Sequence, residues 1–229
     1  MLGFFHFSLI LGIVSSSIFE TLELLIVPFI TLIYFITIRD KSKYFTLFLV
    51  IYSISDFINI RDQDELYELI YFACNTLYII SYVFLLLEIL KFISLKGILK
   101  AFPIHIGVLL LLNFYIIFVM TTIINPIDFE TEHLSYVRVV EHLYNFVLLS
   151  LLSISFLNYL FHESHKALLL FCGCLLITFS EFLLIGYYYL SEKMEILGLI
   201  STLFNVLAFI LFFYQSKINS INQNSNSFS

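Results

Sequence analysis

Clusters of polar residues cut the chain into eight apolar runs, at roughly 2 to 18, 24 to 38, 44 to 60, 67 to 94, 103 to 124, 136 to 160, 167 to 190 and 196 to 215. About 20 apolar residues of helix cross a bilayer core, so most of these runs are long enough to span. None alternates apolar with polar at period two, as a barrel strand would, and a helix satisfies its backbone polar groups within one segment. The pattern predicts an all-α, polytopic membrane bundle of eight transmembrane helices, forming one domain over residues 1–215. Its tightest point is the opening pair, where Glu20 and Glu23 turn a hairpin between two short spans and Pro28 kinks the second. From Ser216 the chain becomes rich in Asn and Ser, which predicts a polar, disordered cytoplasmic tail at 216–229.

Composition removes the soluble alternatives. Of 229 residues, 61% are hydrophobic and 12% charged, an apolar surplus that a soluble core cannot hide. Eight spans also leave no length for a separate soluble domain. The first run has the apolar stretch of a signal peptide but neither a positive n-region nor an A-x-A site, so it reads as the first span. Cys74, Cys172 and Cys174 sit inside apolar runs, with neither disulfide-framework nor zinc-ribbon spacing.

Basic residues orient the bundle. With eight spans, one face collects Arg39, Lys41, Lys43, Lys91, Lys96, Lys100, Lys166 and Lys217, against Arg61, Arg138 and Lys193 on the other. That bias puts both termini in the cytoplasm. The net charge of -6 is split between the two faces and the spans, so it argues for no basic partner, and no basic patch reaches the size nucleic acid needs. Compact loops without targeting extensions point to a bacterial inner membrane.

Four carboxylates remain inside spans: Asp56, Glu88, Glu141 and Glu181. Each costs about 2.5 to 3.5 kcal/mol near the centre of an isolated helix, so each should face the bundle interior or water. Glu88 precedes Lys91 by three residues, which offers an ion pair at the inner interface; Glu141 follows Arg138 by three, which offers one at the outer. Asp56 and Glu181 have no basic residue one turn away. They lead as candidates for chemistry, with interhelical hydrogen bonding as the competing role.

The text around these two acids repeats. Ser55-Asp56-Phe57 and Ser180-Glu181-Phe182 are each followed by a short outer loop and a span carrying Asn-x-Leu-x-x-Ile: Asn75, Leu77 and Ile80, then Asn205, Leu207 and Ile210. This predicts two parallel four-helix repeats, 1–98 and 99–215, related by an axis along the membrane normal, with Asp56 and Glu181 at matching depths.

With these residues in place, the chain resembles the YhhN family of eight-span membrane proteins, the lysoplasmalogenase-like group. The likeness covers nearly the full length. It rests on Ser55-Asp56, where the family commonly shows Gly-Asp, and on Phe72, Asn75 and Tyr78, where the family shows Phe, His and Tyr. Its third element runs from Gly173 to Ser180-Glu181, where the family has small residues leading to Ser-Asp. Asn stands here for the family's His, with the spacing one residue shorter, and Glu181 stands for its Asp. The resemblance implies a membrane-embedded hydrolase that cleaves the vinyl ether bond of a lysoplasmalogen or related lysolipid, releasing a fatty aldehyde. A vinyl ether is cleaved by protonating its carbon to an oxocarbenium ion, which water then attacks. Two carboxyls suit this, one as acid and one to steady the cation or activate water. On this reading Asp56 or Glu181 is the acid, and Asn75 and Asn205 position water or glycerol hydroxyls. Tyr78 donates to the headgroup, and Glu141 joins the substrate-binding set. No cofactor is required, and the partner is a single-chain lysophospholipid entering sideways from the membrane.

Other motifs carry less. His162-Glu163-Ser164-His165 has no third ligand nearby and reads as a solvated turn, and neither a zincin motif nor HxxxH is present, so no metal is expected. From a different class, a non-catalytic membrane protein on the same scaffold, serving as lipid or ligand sensor, is favoured by the replaced His. A transporter has less support, because few Gly or Pro breaks interrupt the spans.

Overall fold

A computed structural model of the chain describes residues 24–60, 67–124, 134–189 and 195–226. Every element among them is a helix: α1 (Ile26–Thr37), α2 (Lys43–Asn59), α3 (Tyr67–Leu90), α4 (Leu95–Ala101), α5 (Pro103–Ile124), α6 (Leu134–His162), α7 (His165–Tyr189) and α8 (Glu195–Asn226). Five of these, α3, α5, α6, α7 and α8, are long and apolar enough to cross a membrane, which marks the chain as a helical integral membrane protein. The 17 residues of α2 and 12 of α1 reach about 25 and 18 Å, short of a full hydrocarbon core. The predicted first span and its Glu20–Glu23 hairpin lie outside the described residues.

Two boundaries differ from the pattern of polarity. The fourth apolar run stops as a helix at Leu90, and Ser94 then caps the separate short helix α4, its hydroxyl accepting from the Gly97 N–H at 3.3 Å. At the other end, α8 continues to Asn226, past the Ser216 where composition predicts a disordered tail. A long helix already in place needs no new nucleus, so adding turns costs little even for Asn and Ser. Between α6 and α7, Glu163 adopts a left-handed φ of 46°, and Ser164 accepts from the Ala167 N–H at 3.2 Å to start the next helix.

Water cannot drive helix association inside lipid, so close packing and polar side chains must. Both are present. Phe48 of α2 stacks on Phe209 of α8, centroids 5.6 Å apart and planes 4° from parallel, while Phe212 meets both rings edge-on. Hydroxyls tie neighbouring helices: Thr31 to Ser53 between α1 and α2 at 2.9 Å, and Ser81 to the Phe48 carbonyl between α3 and α2 at 2.9 Å. Two ties are reciprocal. Ser55 donates to the Cys74 carbonyl at 3.0 Å while Cys74 Sγ donates back to the Ser55 carbonyl, and Ser180 and Ser201 each donate to the other's carbonyl at 2.8 Å. Ser201→Ala should therefore lower the unfolding free energy by about 1 kcal/mol, the usual worth of such an interhelical pair. Unfolding titrations in micelles would read this, and an unchanged transition would deny the bridge a stabilising role.

Helix α5 stands apart. Leu111, Phe114 and Phe118 are more than half exposed, and its tie to the bundle is Asn113, which donates to Ser153 of α6 at 2.8 Å. A helix apolar all round suits a lipid-facing position.

Candidate functional site

The sequence places tyrosines at 71, 78 and 82 on α3, spaced by seven and four residues, so their side chains share one face. Each takes a carboxylate from a different helix. Tyr71 donates to Glu141 Oε1 of α6, Tyr78 to Asp56 Oδ1 of α2 at 2.7 Å, and Tyr82 to Glu181 Oε1 of α7 at 3.2 Å. Three of the four intramembrane acids thus lie in order along one helix. The fourth, Glu88, sits beyond them at its far end, paired with Lys91 at 3.1 Å as their spacing predicts, and accepts from Ser42 at 2.5 Å.

Asp56 and Glu181 belong to one cluster. Their anchors Tyr78 and Tyr82 are one turn apart, a rise of about 6 Å. Tyr52, one turn before Asp56 on α2, lies against Tyr78 with ring centroids 4.7 Å apart. Its hydroxyl meets that of Tyr82 and stands within electrostatic reach of both carboxylates. From α8, Asn205 donates to the Tyr52 hydroxyl at 3.0 Å. From α6, Tyr144 brings its hydroxyl toward Glu181 and Tyr82. Five helices converge here, and Asp56 is 3% exposed. Phe48 and Phe209, stacked on each other, wall the cluster on one side of Tyr52.

The six residues singled out by sequence fall unevenly within this arrangement. Asp56, Glu181, Tyr78 and Asn205 enter the shared cluster. Tyr78 spends its hydroxyl on Asp56, where a headgroup contact was expected, because a buried carboxylate needs a donor more than the membrane surface does. Asn75 turns its amide nitrogen to the Tyr71 carbonyl of its own helix at 2.9 Å. Glu141 lies two turns from the Asp56 layer, held by Tyr71; its sequence neighbour Arg138 has no described side chain.

Sequence reasoning missed Tyr52, Tyr71, Tyr82, Tyr144 and Asn145. The signal was present as helical spacing: Tyr52 is four before Asp56, Tyr144 three after Glu141, and Tyr82 four after Tyr78. Asn145 left no such trace. It is 2% exposed, and neither its amide oxygen nor its nitrogen has a hydrogen-bond partner among the described residues. A buried unpaired amide costs about 1 to 3 kcal/mol, which asks for a polar guest such as water or a lipid hydroxyl.

Among the described residues, no group of three or more His, Cys, Asp and Glu converges in a way that would hold a metal ion. Chemically, the cluster offers two carboxyls in a low-dielectric interior with phenols fixing their orientation. Comparison with protein-family models, with curated proteins and with solved structures finds no match.

Proposed function

We propose that the chain is a membrane-embedded acid–base hydrolase that opens the vinyl ether of a lysoplasmalogen-like lysolipid, as the YhhN-type resemblance implies. The observation that carries this is the pairing of Asp56 and Glu181 through tyrosines one turn apart on α3. One carboxyl delivers a proton to the alkenyl carbon; the other, as carboxylate, steadies the oxocarbenium ion and guides water onto it. The resulting hemiacetal collapses to a fatty aldehyde and the free glycerol hydroxyl. Tyr78 and Tyr82 hold the two acids in register, and Asn205 fixes Tyr52 between them. The amide of Asn145, with donor and acceptor both unused among the described residues, supplies a further place for water or a glycerol hydroxyl.

The internal duplication belongs to the same proposal, with an adjusted register. Setting the reciprocal bridge of Ser55 on that of Ser180 brings Cys74 onto Ser201, and so Tyr78 onto Asn205. Both then face the acid layer from the helix that follows. In the positive-inside orientation, with both termini cytoplasmic, these acids lie in the outer half of the bilayer.

The test is a pair of substrates given to the purified protein in micelles: a lysoplasmalogen and its saturated alkyl-ether analogue. Aldehyde should appear from the first alone, since an alkyl ether has no double bond to protonate. A second reading, a non-catalytic lipid sensor, is favoured by Asn75, which replaces the family's His and bonds to its own helix. Lipid-dependent stabilisation without aldehyde from either substrate would establish the sensor and remove the hydrolase.

A further inference from the structure

At the opposite end of α3 from Tyr71, the α1–α2 turn closes over the start of α2. Arg39, Lys41, Ser42, Glu88, Lys91 and Phe92 line a cavity there of about 420 Å³, together with Asp40. That is within the range of small-ligand sites. Lys91 donates to Ser42 and Glu88, both at 3.1 Å, and its Nζ lies 5.7 Å from the centre of the Phe92 ring. Lys166 of α7 approaches the same ring at 4.9 Å. Two ammonium groups are thereby held against one aromatic ring, with Glu88 as the carboxylate paired to Lys91. The lining itself holds three cations, Arg39, Lys41 and Lys91, against two carboxylates, Asp40 and Glu88, and Lys166 adds a fourth cation next to Phe92. Among the described residues the Arg39 guanidinium has neither hydrogen bond nor ion pair.

We infer that this cavity binds a phosphate group, carried by an anionic membrane lipid or by a soluble phosphoester. A phosphate spreads its charge over several acceptor oxygens, which suits the planar fork of Arg39 and the separate point charges of the lysines. Ser42 lines the same space, its hydroxyl given to Glu88 so that it holds that carboxylate in place. The surroundings fit a headgroup: Phe92 and Phe35 are each about half exposed beside the cations, with Lys41 Nζ 5.8 Å from the Phe35 ring. An aromatic and basic rim of this kind belongs at the level where acyl chains meet headgroups. The site is separate from the carboxylate cluster, since Glu88 lies six residues, about 9 Å along the axis, beyond Tyr82.

The full chain in neutral detergent would be titrated with short-chain phosphatidylglycerol, with phosphatidylcholine of equal chain length, and with inorganic phosphate, following the thermal unfolding midpoint. Phosphatidylglycerol should raise the midpoint saturably and bind about tenfold or more tightly than phosphatidylcholine. Arg39→Gln with Lys41→Gln should weaken that binding by about tenfold. Asp40→Asn should strengthen it, a change of sign that a purely structural role would not give. Lys96→Gln with Lys100→Gln, on the same face but outside the cavity, should leave it unchanged. If inorganic phosphate saturates the effect at concentrations similar to the lipid, the ligand is a soluble phosphoester. Equal weakening by both lysine-containing pairs would reduce the effect to diffuse surface charge and overturn the site, as would the lack of any saturable shift.

Discussion

Asp56→Asn and Glu181→Gln should each lower aldehyde release from lysoplasmalogen by at least about a hundredfold, the low end of what a positioned acid or base contributes. The substitutions are chosen so that the fold survives. Asn and Gln keep an oxygen that accepts from Tyr78 or Tyr82, so the phenol bonds at 2.7 and 3.2 Å have a partner in each variant. What disappears is the ability to give or take a proton. The double variant should be scarcely worse than either single one, because groups that act as a unit do not contribute additively. Glu141→Gln is the internal comparison. Held by Tyr71 two turns from the Asp56 layer, it should alter KM more than kcat. Rates in the two acid variants equal to the parent's would leave Asp56 and Glu181 as interhelical glue, and the hydrolase with no chemistry.

Much of the bundle is legible in the sequence because lipid imposes a severe code: apolar runs must be helices, and buried acids must find partners. The runs from 103 to 124 and from 167 to 190 correspond to α5 and α7 almost residue for residue. The spacing of Glu88 and Lys91 announced their pair, since three residues on a helix fixes the neighbourhood without any tertiary knowledge. Partners from other helices leave no such mark. Nothing within a few residues of Asp56 names Tyr78, and nothing near Glu181 names Tyr82. Their meeting depends on how α2 and α7 each dock on α3.

The two Asn of the repeated motif sit in different surroundings. Aligning Asn75 with Asn205 misses the alignment given by the two reciprocal bridges by three residues. Three residues is close to one helical turn, so both alignments put similar faces inward and composition cannot separate them. The hydrogen bonds of the two Asn differ. Asn75 turns to its own helix, whereas Asn205 reaches across the bundle to Tyr52. The amide of Asn145 was beyond any pattern, because an unpaired group is defined by what every neighbouring helix fails to offer.

Gly173→Ala should destabilise the bundle by about 3 kcal/mol, the upper end of ordinary overpacking. A methyl group built on Gly173 would lie 2.4 Å from Phe212 Cε1 and 2.7 Å from Cδ1, far inside contact distance. The ring has nowhere to go, being 0% exposed with Phe48 and Phe209 against it. Alanine would otherwise gain about 1 kcal/mol in a helix interior, so the clash must outweigh that gain before any loss is seen. Gly186 of the same helix gives the control: nothing lies within 4 Å of its added carbon, and Gly186→Ala should stabilise or be neutral. Because Asn205 and Phe209 share α8 with Phe212, pushing that helix away should also draw Asn205 off the Tyr52 hydroxyl. Adding Phe212→Leu to Gly173→Ala should recover part of the stability by trimming the ring that collides. Unfolding in micelles measures all four proteins, and a Gly173→Ala variant as stable as the parent would mean that α7 and α8 do not pack at this separation.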